Sequence, residues 1–239
     1  MTLWCISWFN TSQAKELTLA TSKSIPPYIF EETENGIQIE RVRAAFDLAG
    51  HSIKKIIFTS NKRAELLLKQ KKVDAIINVA MDQKNLYYSD PVIHYQNSAI
   101  SLSRLELNLK SIEELAYYRV MAFQNAKKFL GNRYATAVSK SPIYDEAVNQ
   151  LAQLERLYNE QVDVIILDVR IFEYFNQLYN AAGKYPAPVQ YHYIFPSSPR
   201  SLGFHNATLR NDFNRGLKKL LSPSNDTKDS QDTPNPVPN

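Results

Sequence analysis

Cysteine is nearly missing: Cys5 is the only one in 239 residues, so neither an internal disulfide nor a cysteine-based metal site is to be expected. The four histidines, His51, His94, His192 and His205, share no ligand spacing, and a metal centre is not expected either. No run approaches the roughly 18 consecutive apolar residues that a membrane-crossing helix requires. An excess of one charge is also lacking. The 28 Lys and Arg stand against 24 Asp and Glu, for a net charge of +4, and the cations are scattered among the acids. That pattern gives nucleic acid no basic stripe to bind. What remains is an ordinary globular composition, 44% hydrophobic and 22% charged, long enough for one large domain or two modest ones.

The ends differ from the body. Residues 1–14, MTLWCISWFNTSQA, form a short apolar stretch that closes on the small residues Ser12 and Ala14 before Lys15 and Glu16. It has no charged start, so it predicts a signal-peptide remnant and an exported, periplasmic protein, the other reading being the apolar first turn of an intracellular one. Trp4 before Cys5 does not suit lipoprotein processing, which leaves Cys5 inert. Residues 222–239, SPSNDTKDSQDTPNPVPN, have one Val to offer a core and predict a disordered tail.

Between the ends lies a weak repeat. Lys72-Val73-Asp74-Ala75-Ile76-Ile77 recurs as Gln161-Val162-Asp163-Val164-Ile165-Ile166, each time as a helix-like stretch feeding a short β-branched run. Such runs read as buried parallel strands, and two copies predict two similar lobes. Around the first copy, strands are expected at 17–20, 53–58 and 73–79, with helices at 37–49, ending at Gly50, and at 62–70. The order βαβαβ predicts a mostly parallel sheet. A second lobe is expected from near Leu105: a capping box at Ser111-Ile112-Glu113-Glu114, a strand at 119–123, a helix at 144–159, a strand at 162–167 and a helix at 171–182. A last amphipathic helix is expected over 206–221, with Asn206 as its cap.

Several segments in order resemble the extracellular solute-binding protein family 3, the periplasmic receptors for amino acids and related solutes that serve ABC importers. These are Leu17 to Thr21 with Pro26-Pro27-Tyr28, Gly36 to Glu40, Val73 to Ile77, Tyr88-Ser89-Asp90-Pro91, Ser111 to Leu115 with Val120 to Phe123, and Val162 to Asp168. The resemblance implies a two-lobed α/β fold of the type II periplasmic-binding-protein kind, each lobe a mostly parallel sheet flanked by helices. It places lobe 1 at 15–102 with 195–221 returning to it, lobe 2 at 103–194, and two hinge strands near Ala99 to Ser103 and Tyr191 to Phe195. The implied function is capture of a small polar solute in the interlobe cleft by a monomer that hands it to an ABC permease, with no cofactor. Sensory domains and a few dehydratases share this fold, but no nucleophile, base and orienting group are legible together.

A zwitterionic ligand needs an anion for its ammonium and a cation or N–H donors for its carboxylate, because charges leaving water must be paired. Asp168 matches the family's ammonium-binding Asp; its other reading is an N-cap for the helix opening at Val169. The family's carboxylate-binding Arg has no counterpart in 81–87, where Lys84 is the only cation and offers a point charge instead of a fork. Arg63 is a second candidate, with a solvated surface Arg as its alternative. The family's Gly-Thr at a helix N-terminus, a source of N–H donors, is replaced by Gln124-Asn125-Ala126. Tyr28, after Pro27, is expected either to present its ring to a ligand or to pack within the lobe. Ser22 and Asn78, just past the first and third strands, and Gln96 and Asn97, near the hinge, add hydroxyl and amide groups.

Overall fold

The computed structural model describes residues 14–79 and 85–222. Cys5, Lys84, the expected signal-peptide segment up to residue 13 and the tail from residue 223 lie outside the described residues. In chain order the elements begin with β1 (Glu16–Thr21), α1 (Ile37–Leu48), β2 (Ser52–Phe58), α2 (Asn61–Lys69), β3 (Ala75–Val79), β4 (Tyr87–Tyr88) and β5 (Ile93–Tyr95). There follow β6 (Asn97–Leu102), β7 (Val120–Phe123), α3 (Ala126–Val138), β8 (Tyr144–Ala147), α4 (Gln150–Tyr158), β9 (Val164–Asp168), α5 (Val169–Ala181) and β10 (Val189–His192). The chain closes with β11 (Ser198–Phe204) and α6 (Ala207–Leu221).

These strands form two sheets, each built around the parallel trio that the repeat predicts. In the first, β1 runs parallel to β2 and β3. In the second, β7 runs parallel to β8 and β9. The repeated aspartates show why the two copies look alike. Asp74 accepts a hydrogen bond from the backbone N–H of Thr18 at 2.8 Å, and Asp163 accepts one from Arg119 N at 2.8 Å. Each carboxylate thus stitches the entry of a central strand to its parallel neighbour. The helices before them also end alike, on Lys71 and Glu160 with positive φ of 56° and 59°, the left-handed stop that satisfies terminal carbonyls.

The antiparallel strands come from the places where the chain changes lobe. β11 lies antiparallel to β3 and carries β4 and β5, while β6 lies antiparallel to β9 and β10. The crossings therefore fall at Gln96, just before the expected Ala99 to Ser103, and at 193–197, overlapping the end of the expected Tyr191 to Phe195. Residues 97–102, assigned by the sequence to lobe 1, are hydrogen-bonded into the second sheet on both edges. A β-branched run cannot declare which of two sheets it joins, since both are equally apolar.

Two local expectations also fail. Residues 144–159 are not one helix: Tyr144–Ala147 pairs with β7 before α4 begins, a polar strand that carries no alternating signal. Ser111 caps nothing; Ile112–Tyr117 is a 3-10 turn, and Glu114 accepts instead from Lys110 N at 3.3 Å.

The core of lobe 1 gathers Leu17, Leu19, Ile39, Val42, Phe46, Phe204 and Phe213 between its sheet and the α1–α6 pair. Lobe 2 buries residues on both faces of its sheet, Val120, Tyr134 and Ile166 on one and Met121, Leu154 and Phe172 on the other. Each fully buried large side chain contributes about 1.5–3 kcal/mol.

His192 ties the start of the return crossing to lobe 2. Its Nδ1 accepts from Leu109 N at 3.3 Å, and its Nε2 lies 2.9 Å from Ser101 Oγ. Burial holds its pKa below 6.5, against an opposing pull from Glu114. A depressed histidine stabilises the fold fully above its unfolded value, and that contribution is lost as pH falls through the folded value. The thermal midpoint is therefore expected to drop more steeply on acidification below pH 6.5 in the native chain than in His192→Gln.

Candidate functional site

Tyr28, Gln96 and Asp168, three of the residues singled out from sequence, meet at the junction of the lobes. The loop after β1 contains a cis Pro26-Pro27 bond and returns on itself, so that Ile37 N and Gln38 N donate to the carbonyls of Pro27 and Tyr28. Gly36 permits this return: its φ is 117°, and a Cβ there would lie 2.5 Å from Tyr28 O. Thus held, the fully buried Tyr28 ring stacks on Tyr95 with centroids 4.0 Å apart. The Tyr28 hydroxyl donates to Asp168 Oδ1 at 2.8 Å. Ile171 N donates to the same oxygen at 3.1 Å, and Gln96 N donates to Asp168 Oδ2 at 2.7 Å.

Asp168 is therefore an N-cap and an interlobe joint, not an open acceptor for a ligand ammonium. Only 3% of it is exposed, and both oxygens are already engaged. Burial raises its pKa, opposed by the hydrogen bonds from Tyr28, Ile171 and Gln96. Burial and the adjacent Asp168 carboxylate push the Tyr28 hydroxyl pKa far up. The Gln96 side chain binds the two crossings together, its Nε2 donating to Asn97 O and Phe195 O, both at 3.0 Å. Phe30 against Tyr174, centroids 5.7 Å apart, adds an apolar contact between lobes.

At the carboxyl ends of β1 and β3 and on the neighbouring β11 lie four polar atoms that find no hydrogen-bond partner within the protein. Thr21 Oγ1, Ser22 Oγ, Asn78 Oδ1 and Ser201 Oγ are all buried and make no hydrogen bond. Thr21 closes β1 and Ser22 follows it, Asn78 lies in β3 and Ser201 in β11; Ala20 pairs with Ile76 between β1 and β3, and Ser201 pairs with Val79 between β11 and β3. This is the carboxyl edge of the parallel trio, where open α/β sheets bind ligands. A buried polar atom without a partner costs about 1–3 kcal/mol, and four on one edge call for an explanation. Gln38 Nε2 and Arg200 Nε are buried and unpartnered as well. The oxygen of the Gln38 side chain accepts from Tyr95 OH at 3.0 Å, and the Arg200 guanidinium lies 4.6 Å from the centroid of the Tyr95 ring.

The remaining sequence candidates are not brought to this row. Arg63 is exposed on the first turn of α2, and Asn97 pairs with Asp168 in the second sheet. Gln124 and Asn125 are exposed and Ala126 is buried at the start of α3, but the donors expected there are taken. Asn125 N and Lys127 N donate to Glu146 at 2.7 and 3.2 Å, and Tyr144 OH donates to it at 2.7 Å. Although burial pushes the other way, these bonds hold the Glu146 pKa below the ordinary value. Among the described residues, no group of three or more His, Cys, Asp or Glu could hold a metal ion, and no helix is long and apolar enough to cross a membrane. Thr21, Arg200, Ser201 and Glu146 were not legible as site residues, since each gains its place only through pairing with a distant strand.

Two lobes joined by two crossings is an arrangement with relatives among solved structures. The fold is that of two-lobed solute-binding proteins. The GluR0 ligand-binding core in complex with L-glutamate aligns with a TM-score of 0.65 and 15% identity, over 86% of this chain and 92% of that one. A histidine kinase sensor domain similar to periplasmic binding proteins aligns at 0.64 and 14%, over 86% and 90%. An ancestral amino acid-binding protein, a precursor of cyclohexadienyl dehydratase, aligns at 0.60 and 16%, over 86% and 88%. No family model matches the sequence, and no curated protein does. The resemblance read from short motifs thus holds at the level of fold, with the sequence far diverged.

Proposed function

We propose that this chain is a receptor that captures a small polar solute between its lobes and releases it unchanged. The observation that carries the reading is the row of buried, unpartnered oxygens of Thr21, Ser22, Asn78 and Ser201 at the carboxyl edge of lobe 1. Oxygens that find no partner within the protein are open to hydrogen bonds from a solute. The two crossings, clasped by Gln96, form the natural pivot for hinge closure over it. Residues 15–96 with 198–221 would move as one lobe and 97–192 as the other.

Binding without chemistry is favoured because the acid–base groups at the joint are already committed. Tyr28 and Asp168 are bonded to each other and buried, which leaves neither free to exchange a proton with a solute. Two of the similar structures, a ligand-binding core in complex with L-glutamate and an ancestral amino acid-binding protein, favour amino acids and their analogues as solutes. Periplasmic residence and delivery to an ABC permease remain the biological setting we propose, with sensing as the second reading, supported by the sensor-domain likeness.

The test is a thermal-shift screen of the full chain against amino acids, amines, small acids, short peptides and sugars. A solute specific to the folded state raises the midpoint by mass action, about 2.7 kcal/mol of stability at a hundredfold excess over Kd. One class of solute is expected to give such a shift. Silence across every class would overturn the receptor reading.

A further inference from the structure

The geometry points to the amino edge of lobe 1, the side remote from Thr21 and Asn78, as a surface that rests on an anionic phospholipid membrane. This goes beyond the receptor reading and is independent of what the cleft binds.

Cations scattered along the sequence are gathered at this edge by the fold. In a parallel trio every strand starts at one edge, and the helices that lead into those strands end there. Lys15 stands before β1, and its carbonyl accepts from Ser52 N, the first residue of β2, at 3.0 Å. α2 ends on Lys69 and is followed by Lys71 and Lys72, just before Asp74 N donates to Thr18 O at 2.8 Å. α6 ends beside α1, with Lys219 Nζ donating to Leu48 O at 3.4 Å and Lys218 next to it. Because α2 and the α1–α6 pair cover opposite faces of the sheet, these lysines flank its edge from both sides.

All six lysines are exposed, and among the described residues none of them makes an ion pair. Of the acids around them, Glu16 is held by Lys54 at 3.1 Å, Asp74 by Thr18 N at 2.8 Å and Asp212 by Arg215 at 2.7 Å, which leaves Asp47 as the exposed acid. The amino edge of lobe 2 is built differently, with Arg119 paired to Asp163 and Arg104 to Glu160. Leu48 and Leu221, the last residues of α1 and α6, are 43% and 56% exposed among the lysines. Apolar tips set among cations suit a headgroup layer, where lysines meet anionic phosphates and leucines reach the acyl boundary. Residues 1–13, which join the lobe at this face through Lys15, also carry Trp4, Trp8 and Phe9. Resting on this edge leaves the carboxyl edge open to solution, so docking holds the chain near the membrane while a solute is captured.

The experiment sediments the full chain with vesicles of phosphatidylcholine, alone or with about one third phosphatidylglycerol. Binding is expected with the anionic vesicles and not with the neutral ones. Raising salt from about 50 to about 300 mM is expected to reverse it, because exposed charges are then screened. The triple variant Lys69→Glu, Lys71→Glu, Lys72→Glu is expected to weaken binding at least about tenfold. A charge-matched variant on exposed lysines of lobe 2, Lys110→Glu, Lys128→Glu, Lys140→Glu, is expected to bind as the native chain does. Should the first variant fail to fold, Lys218→Glu with Lys219→Glu and the salt dependence of the native chain decide. Equal binding to neutral vesicles, an equal loss in the lobe 2 variant, or no binding at all overturns the inference. Binding of a DNA duplex as tight as that of the anionic vesicles would mark a general polyanion surface and overturns it as well. The receptor reading is decided separately, by the solute screen.

Discussion

Asp168→Ala is expected to cost about 3 kcal/mol of stability, because it removes a helix cap worth about 1 kcal/mol and strands two donors, each worth about 1–3 kcal/mol. Those donors are the Tyr28 hydroxyl and Gln96 N, at 2.8 and 2.7 Å from the carboxylate. For a chain of this size, that loss lowers the thermal midpoint by about 6–12 °C. Tyr28→Phe should cost less, since Asp168 Oδ1 keeps its bond from Ile171 N. Together the two changes should cost less than their sum, because the second removes a partner that the first has already orphaned. Additive effects would mean that Tyr28 and Asp168 do not act as one joint between the lobes.

Gly216→Ala is expected to be as damaging, for a reason of shape. Gly216 sits where α6 crosses α1, and a Cβ placed on it would lie 1.9 Å from Ala45 O and 3.0 Å from Ala49 N. Neither backbone atom can step aside without moving α1. The helices would separate and loosen the Phe46–Phe213 contact, now 4.7 Å between centroids. Overpacking of this kind costs about 1–3 kcal/mol, and the upper end is expected because the clash is with backbone. Thermal unfolding of Gly216→Ala checks it; an unchanged midpoint would show that α6 is not pinned on α1.

Local chemistry made much of the fold legible. Asn206 caps α6, its Oδ1 accepting from Thr208 N and Leu209 N, and Ile39, Val42 and Phe46 face the core of α1 as their spacing predicts. The repeated Asp74 and Asp163 marked the two parallel trios because each bonds only to the adjacent strand. What was not legible depends on pairing across long separations. Residues 97–102 suit either sheet, and β8 is too short and polar to signal a strand. Tyr28, Gln96 and Asp168 meet as partners of one another: nothing local to Asp168 announces that the Tyr28 hydroxyl, 140 residues earlier, fills it. Thr21 and Ser201 could not be found from sequence because a hydroxyl in a strand reads as an ordinary polar residue.

The central claim is that buried polar atoms at the edge of lobe 1 are left without partners so that a solute can satisfy them. The most direct measurement compares the native chain with Thr21→Val and Ser201→Ala combined, recording the thermal midpoint alone and with the strongest solute from the screen. Both hydroxyls are fully buried and unpartnered, so their removal is predicted to leave the free midpoint unchanged or higher while most of the solute-induced rise disappears. A lower free midpoint together with an undiminished solute response would contradict the account.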